Sequence, residues 1–275
     1  MSWLEAIILG LVQGLSEFLP ISSTAQLVTT QYFLGIHSPG YTLEIVLHLA
    51  SALAVMLYYR HDLLSLAIGS GRYLRHRRAE DRPALLWVGY LGVATVITAI
   101  LGLLMEKQLG DNLKHPGVVA GGLLLTALCL VWVEWGTRRV AQTARPETIG
   151  WKHTIVIGLA QALAVLPGIS RSGATLIAGL GLGLDKATAV RFSFLLSIPV
   201  ILGSSLLLLR KTDQAMLSEL GFGPLLLAFV VSFVASLGGI VWLINFVRTS
   251  RLYWFALYCA LLAGAILIWS PDFRG

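Results

Sequence analysis

Charged residues are scarce in this chain: they make up 12% of its 275 residues, whereas 56% are hydrophobic. A soluble domain carries about 25% charged residues. Three stretches hold no charge at all, and they run from Ala84 to Met105, from Phe222 to Val247 and from Leu252 to Ser270. Because a helix needs about 20 apolar residues to cross a bilayer, this pattern predicts an all-α, polytopic membrane protein.

Cysteines are also few, and the first residues carry no basic segment. The only cysteines, Cys129 and Cys259, lie inside apolar runs, where they are expected to be small buried hydrophobes. The first residues lack the basic region of a cleaved signal peptide and include Glu5. The net charge of +6 comes from residues between apolar runs, which argues against a nucleic-acid partner.

We interpret the chain as one membrane domain with six spans and two broken hairpins. The predicted spans are 42–60, 84–105, 116–136, 188–209, 222–246 and 252–270. The hairpins, 2–36 and 151–184, break at Pro20 and at Pro167-Gly168, because proline ends a helix. Their pieces are too short to cross the hydrocarbon, so we expect re-entrant hairpins.

The two hairpins resemble each other in sequence. Gly10-Leu-Val-Gln13 matches Gly158-Leu-Ala-Gln161, and each is followed by a proline and a cluster of hydroxyl residues. This predicts two repeats, about 1–140 and 141–275, each a hairpin followed by three spans. Three is odd, so the second repeat must be inverted. Twelve Lys and Arg residues then fall on one side and five on the other, which places the first set in the cytoplasm.

The second hairpin carries a candidate phosphate site. Arg171 lies near the tip of this hairpin at a predicted helix N-terminus, where free N–H groups and a guanidinium both favour an anion. The alternative is that Arg171 only pairs with Glu17 and locks the hairpins together. The phosphate-binding candidates are Ser22, Thr24, Gln26, Ser170, Arg171, Ser172, Gly173 and Thr175.

The first hairpin supplies candidate catalytic groups. Gln13 and Glu17 are four residues apart and share a helix face, so they could hold a divalent cation such as Mg²⁺ or Ca²⁺. Glu17 could instead act as an acid or base. Ser23 is a candidate nucleophile or proton donor, although Ser22–Thr24 also suit a plain helix cap. His48, four residues after Glu44, either faces the pocket or is an ordinary buried histidine.

The two motifs together resemble those of a known family. Gln13-Gly-Leu-Ser-Glu-Phe-Leu-Pro-Ile-Ser-Ser-Thr24 and Pro167-Gly-Ile-Ser-Arg-Ser-Gly-Ala-Thr175 are similar to the motifs of the bacitracin-resistance type undecaprenyl-diphosphate phosphatases. The resemblance implies hydrolysis of a C55 isoprenoid diphosphate in the bacterial inner membrane, at a site open to the periplasm, with a divalent cation. It implies that Glu17 and Arg171 are essential.

One position departs from that family. Many members have a histidine where this chain has Gln26, and glutamine cannot exchange protons near neutral pH. Either the histidine is dispensable, or His48 substitutes for it, or hydrolysis is lost. The last alternative favours a rival function, a flippase for a phosphorylated isoprenoid lipid; a phosphatase for another diphosphate lipid is the third hypothesis. The sequence leaves open whether two copies form a homodimer.

Overall fold

The structure, a computed structural model, describes residues 1–36, 40–109, 115–140, 148–209, 220–249 and 251–269. These residues form helices joined by short connections, and none of them lies in a β-strand. The helices in chain order are α1 (Trp3–Ser16), α2 (Ser23–Phe33), α3 (Gly40–Tyr58), α4 (Arg60–His76), α5 (Arg82–Leu109), α6 (Pro116–Val140), α7 (Trp151–Leu163), α8 (Arg171–Gly181), α9 (Lys186–Leu209), α10 (Phe222–Thr249) and α11 (Tyr253–Trp269).

Several helices are long and apolar enough to cross a bilayer. Among the described residues four helices pass this test: α5, α6, α9 and α10. The bent pair of α3 and α4 is a fifth candidate, and α11 is shorter, with 17 residues. The chain is therefore a multi-pass, all-α membrane protein, as the scarcity of charge predicts. The count of six spans stays a prediction.

Both predicted hairpins are broken near the expected prolines. Helix α1 ends at Ser16, ahead of Pro20, and α7 ends at Leu163, ahead of Pro167. The four hairpin helices have 14, 11, 13 and 11 residues. At 1.5 Å per residue the longest reaches about 21 Å, less than the roughly 30 Å of a hydrocarbon core. Each hairpin helix is thus too short to span alone, and the re-entrant course of the hairpins stays a prediction.

Glycines let the first helix of each hairpin lie close to a long helix. A Cβ added to Gly14 of α1 would come within 2.5 Å of the Ser232 carbonyl oxygen on α10. A Cβ on Gly158 of α7 would lie 3.1 Å from the Ala94 carbonyl oxygen on α5. In the predicted inverted repeat, α1 corresponds to α7 and α10 corresponds to α5, so the two contacts would be equivalent. The repeat itself stays a prediction.

The arginine-rich segment 60–82 is mostly helical, whereas the sequence suggested a loop. Helix α4 turns away from α3 by 71° and is followed by a short 3₁₀ turn. An ion pair of 2.9 Å between Arg72 and the buried Asp81 holds the end of α4 against that turn. Leu64 and Ile68 are more than half exposed. A helix with exposed leucine and arginine at such an angle suits the membrane surface.

Candidate active site

Glu17 is a buried carboxylate at the end of α1. Its side chain is 1% exposed. Its Oε2 accepts hydrogen bonds from Ser23 Oγ at 2.7 Å and from Gln13 Nε2 at 2.8 Å. Gln13 and Glu17 are therefore neighbours on one helix face, as their spacing predicts. Burial of a charge is costly unless it is paired, so these donors hold the carboxylate in place.

Arg171 is the first residue of α8 and supplies the opposite charge. Its guanidinium forms an ion pair with Glu17 Oε1. Ser170 caps the same helix by accepting a hydrogen bond from the Gly173 N–H at 3.1 Å. The ion pair between the hairpins, which was one of the two alternatives for Arg171, is thus present. It does not exclude ligand binding, because a guanidinium has five N–H donors and Arg171 also lines a cavity.

A second contact joins the hairpins at their tips. The Leu19 carbonyl of the first hairpin accepts hydrogen bonds from Ser172 Oγ at 2.7 Å and from Ser170 Oγ at 3.2 Å. Both serines are buried. The Ser-Arg-Ser sequence therefore uses its two hydroxyls to tie the hairpins together and its guanidinium to reach Glu17.

His48 on α3 also reaches this group. Its Nδ1 lies 2.8 Å from the Glu44 carbonyl oxygen, which can only accept, so Nδ1 carries the proton. In neutral His48 the other nitrogen, Nε2, then has a free lone pair. Nε2 lies 3.5 Å from Glu17 Oε2 and His48 lines the cavity. The structure thus places His48 in the pocket, one of the two alternatives that the sequence left open.

These residues surround a cavity of about 180 Å³ between the two hairpins. The lining also includes residues of α3, α5 and α9. The lining residues are Glu17, Ser22, Ser23, Thr24, His48, Thr98, Gln161, Ala164, Val165, Ile169, Ser170, Arg171, Val200 and Ser204. The cavity is thus lined by charged and polar side chains together with the apolar side chains of Ala164, Val165, Ile169 and Val200.

The start of α2 opens onto this cavity without a cap. Ser22, at its N-cap, has a φ of +63°, which is strained for a residue other than glycine. The Ser22 side chain accepts no capping hydrogen bond from the first turn of α2, all of which lies within the described residues. The first N–H groups of α2 therefore remain available to an anion, together with the hydroxyl of Thr24.

Several predicted site residues lie outside the cavity lining. Gln26 donates to the Ile21 carbonyl at 3.1 Å and accepts from Tyr258 Oη at 2.6 Å, so both ends of its amide are engaged. Thr175 hydrogen-bonds backbone carbonyls of α8 and Ser193. The remaining residues of this kind are Gln13, Ser172 and Gly173.

The structure also adds residues that sequence reasoning missed. Thr98, Gln161 and Ser204 line the cavity. Gln161 stood out only as the counterpart of Gln13 in the repeat, a signal that could have marked it as a site residue. Thr98 and Ser204 lie in apolar spans, where a lone hydroxyl residue gives no comparable signal.

The residues around the cavity also indicate how the predicted divalent cation could be held. In the described part of the chain, no three residues among His, Cys, Asp and Glu are grouped so that they could hold a metal ion. Glu17 is already engaged by Arg171, Ser23 and Gln13. Among the residues that the structure describes, Glu17 is also the one carboxylate that lines the cavity. These residues fit a cation bound mainly by phosphate oxygens, as Mg²⁺ often is, and not a cage of protein ligands.

Comparison with known proteins identifies relatives of nearly full length. Undecaprenyl-diphosphatase 2 of Halalkalibacterium halodurans is 48% identical over 96% of this chain and 94% of its own length. Undecaprenyl-diphosphatase 1 of Shouchella clausii is 47% identical over 98% of this chain and 97% of its own. Undecaprenyl-diphosphatase of Oceanobacillus iheyensis is 38% identical over 95% and 94%.

The family comparison covers the hairpins and the spans together. The model of the family described as bacitracin resistance protein BacA matches residues 6–265, which include both motifs and every residue of the cavity lining. The family expected from the two motifs is thereby confirmed. With its paired hairpins and their shared cavity, the chain belongs to the bacitracin resistance protein BacA family.

Proposed function

We propose that this protein hydrolyses undecaprenyl diphosphate to undecaprenyl phosphate and inorganic phosphate, and so recycles a lipid carrier of cell-wall synthesis. The observation that carries this proposal is the cavity in which Glu17 of one hairpin pairs with Arg171 of the other. The relatives named undecaprenyl-diphosphatase support the substrate. The apolar part of the lining suits the first units of an isoprenoid tail.

Binding of the diphosphate rests on donors at the hairpin tips. Arg171 keeps N–H groups beyond those that contact Glu17, and phosphate accepts them in pairs. The uncapped start of α2 adds backbone N–H groups and its partial positive charge. The hydroxyls of Ser22 and Thr24 complete the set, since those of Ser23 and Ser170 donate to Glu17 and to the Leu19 carbonyl. We expect these groups to hold the terminal phosphate while the tail stays in lipid.

For the chemical step we favour water as the attacking group over Ser23. The Ser23 hydroxyl donates to Glu17, whose charge is balanced by Arg171, so moving this proton to Glu17 would break the ion pair. In neutral His48, Nε2 has a free lone pair at the cavity and can take a proton from water. This assignment gives His48 the proton transfer that Gln26 cannot perform.

We propose that a divalent cation binds together with the diphosphate. Glu17 is the residue that would touch it, because it is the carboxylate at the cavity. When bound, such an ion would neutralise charge on the phosphate oxygens. The protein's own residues would still bind the terminal phosphate and remove the proton from water.

The orientation follows from the distribution of basic residues. The twelve Lys and Arg residues of one side mark the cytoplasmic face. That the cavity opens toward the periplasm of a plasma membrane is what the resemblance to the family implies. Protease accessibility of a tag in the segment 60–82 tests this topology in inverted vesicles. Light scattering of the purified protein tests whether it is a homodimer.

The first experiment measures phosphate release by purified protein in detergent, with undecaprenyl diphosphate and Mg²⁺. Glu17→Ala and Arg171→Ala should lose nearly all turnover, because each leaves the partner charge buried and unpaired. Glu80→Gln is the matched control, since it removes a carboxylate that is largely exposed and far along the chain from the hairpins.

Two results would decide against the proposal. Near-normal turnover of either site variant would reject the role of the ion pair. Transport of lipid phosphate by folded wild-type protein without any phosphate release would instead support the flippase. Short and long isoprenoid diphosphates, compared in the same assay, show whether the substrate is the C55 lipid.

A further inference from the structure

Gln161 on α7 lines the cavity and is anchored by Thr98 on α5. The Thr98 hydroxyl lies 2.8 Å from the Ala94 carbonyl oxygen and 3.2 Å from the Gly158 carbonyl oxygen. Carbonyls only accept, so the Thr98 proton is donated to the backbone. The free lone pair of Thr98 Oγ1 accepts a hydrogen bond from Gln161 Nε2 at 3.0 Å. This contact fixes which end of the Gln161 amide faces Thr98.

The other end of that amide is left without a partner. Gln161 is 2% exposed, and its Oε1 has no hydrogen-bond donor among the described residues. An unpaired buried acceptor is destabilising, so such groups usually have a ligand or ordered water. Because Gln161 lines the cavity, a molecule inside it is the available donor.

A hydrogen-bonding partner of Gln161 Oε1 must carry an O–H or N–H group, and the other class of partner for an amide oxygen is a divalent cation. Phosphate oxygens accept hydrogen bonds, and an amide oxygen also accepts, so the two do not attract each other. The other polar groups that we assign to phosphate are donors, namely Arg171, the hydroxyls and the start of α2. Gln161 Oε1 therefore differs in kind from the phosphate-binding groups, and a water molecule fits it.

We infer that Gln161 holds the water that attacks the terminal phosphorus, a role that rests on the proposed hydrolase function. One O–H of this water donates to Gln161 Oε1 and the other to His48 Nε2, so a lone pair of the water is free to attack. As the new O–P bond forms, the P–O bond to the bridging oxygen breaks. The proton of the water passes to His48, and the lipid monophosphate leaves with the electron pair of the broken bond.

Gln13, the counterpart of Gln161 in the repeat, is placed differently. Its Oε1 also has no donor among the residues that the structure describes, but Gln13 does not line the cavity. Its Nε2 donates to Glu17, whereas Gln161 Nε2 donates to a hydroxyl. One glutamine thus lies behind the carboxylate and the other at the cavity.

The test replaces Gln161 by methionine, which has a similar length but no hydrogen-bonding amide. We expect Gln161→Met to lower kcat by 10-fold or more in the phosphate-release assay, while KM stays within about twofold, since an acceptor for water does not hold the diphosphate. Binding of a non-hydrolysable isoprenoid methylenediphosphonate should be unchanged. A purely structural role would instead change KM, binding and thermal stability together.

Two substitutions of Thr98, the residue that orients the Gln161 amide, form a matched pair. Thr98→Val removes the hydroxyl that orients the Gln161 amide and should lower kcat several-fold. Thr98→Ser keeps the hydroxyl and should retain wild-type kcat. This pair keeps the inference testable even where Gln161→Met fails to fold, because Val has nearly the shape of Thr.

The outcomes separate this inference from the proposed function. Wild-type protein that releases no phosphate would remove the proposed function itself. Active wild type with unchanged kcat in folded Gln161→Met, or with equal kcat in both Thr98 variants, would overturn the inference alone. A Gln161→Met variant that recovers full kcat at higher Mg²⁺ would also overturn it, because Gln161 would then serve the cation.

Discussion

Glu17 and Arg171 are 154 positions apart in the sequence and form an ion pair at the meeting point of the two hairpins. Both residues line the same cavity. The pair therefore does two things at once. It holds the halves of the molecule together, and it places an anion and a cation beside the space where the diphosphate is expected.

Arg171→Lys tests whether the shape of the guanidinium is needed as well as its charge. Lysine keeps the positive charge but cannot donate a paired fork to phosphate while it contacts Glu17. A lost hydrogen bond to a charged group is worth about 1.5–3 kcal/mol, so kcat/KM should fall by roughly 10- to 100-fold. Steady-state phosphate release gives this ratio. Wild-type kinetics in the lysine variant would show that charge alone suffices.

His48→Gln tests the proton acceptor. We expect kcat to fall by about 10²-fold or more, the usual contribution of a general base. His61→Gln, at an exposed position on α4, is the control and should stay active. In the double variant His48→Gln, Gln26→His, activity should not return, because position 26 lies outside the cavity lining and contacts Tyr258. Rescue by a histidine at 26 would contradict this arrangement.

Ser23→Ala distinguishes water from a serine nucleophile. If water attacks, the variant loses the hydrogen bond from Ser23 to the Glu17 carboxylate, so it should keep measurable turnover, about 10-fold or more below wild type. Mass spectrometry of wild-type protein quenched with acid during turnover should find no phosphate on Ser23. A phosphorylated Ser23, or complete loss of activity in a folded Ser23→Ala variant, would assign the attack to Ser23.

Gly168→Ala tests the packing of the second hairpin tip. Gly168 has a φ of +91°, and a Cβ there would collide with the Val119 carbonyl of α6. We expect a loss of at least about 1–3 kcal/mol, seen as a lower thermal unfolding midpoint in detergent. Gly92→Ala in α5 is the control, since its Cβ would meet nothing within 4 Å. Equal unfolding midpoints for Gly168→Ala and the wild type would show that the hairpin tip accommodates the added methyl group.

The hairpins could be predicted because their signals are local. Pro20 and Pro167 interrupt apolar helices, and Arg171 is conspicuous in an apolar stretch. The helix α4 was missed because a dense run of arginines is typical of a loop between spans. Its Arg72–Asp81 ion pair and its angle to α3 depend on packing that no local pattern encodes.

The cavity lining was predicted only in part, and the reason is distance along the chain. The Thr98–Gln161 hydrogen bond joins positions 63 apart, and the bond from Tyr258 to Gln26 joins positions 232 apart. Gln26 was assigned to phosphate because it lies near Ser22–Thr24 in sequence. Which face of α2 meets the cavity is decided by the neighbouring helices.

The Leu19 carbonyl accepts hydroxyl hydrogen bonds from both Ser170 and Ser172 of the other hairpin. A protein that carries a lipid across the membrane by exposing its site first to one side and then to the other must separate elements that meet at that site. Here separation would break these two bonds and the Glu17–Arg171 pair in a buried setting. These contacts favour a site that stays in place while lipid enters and leaves, over a site that alternates between the two sides of the membrane.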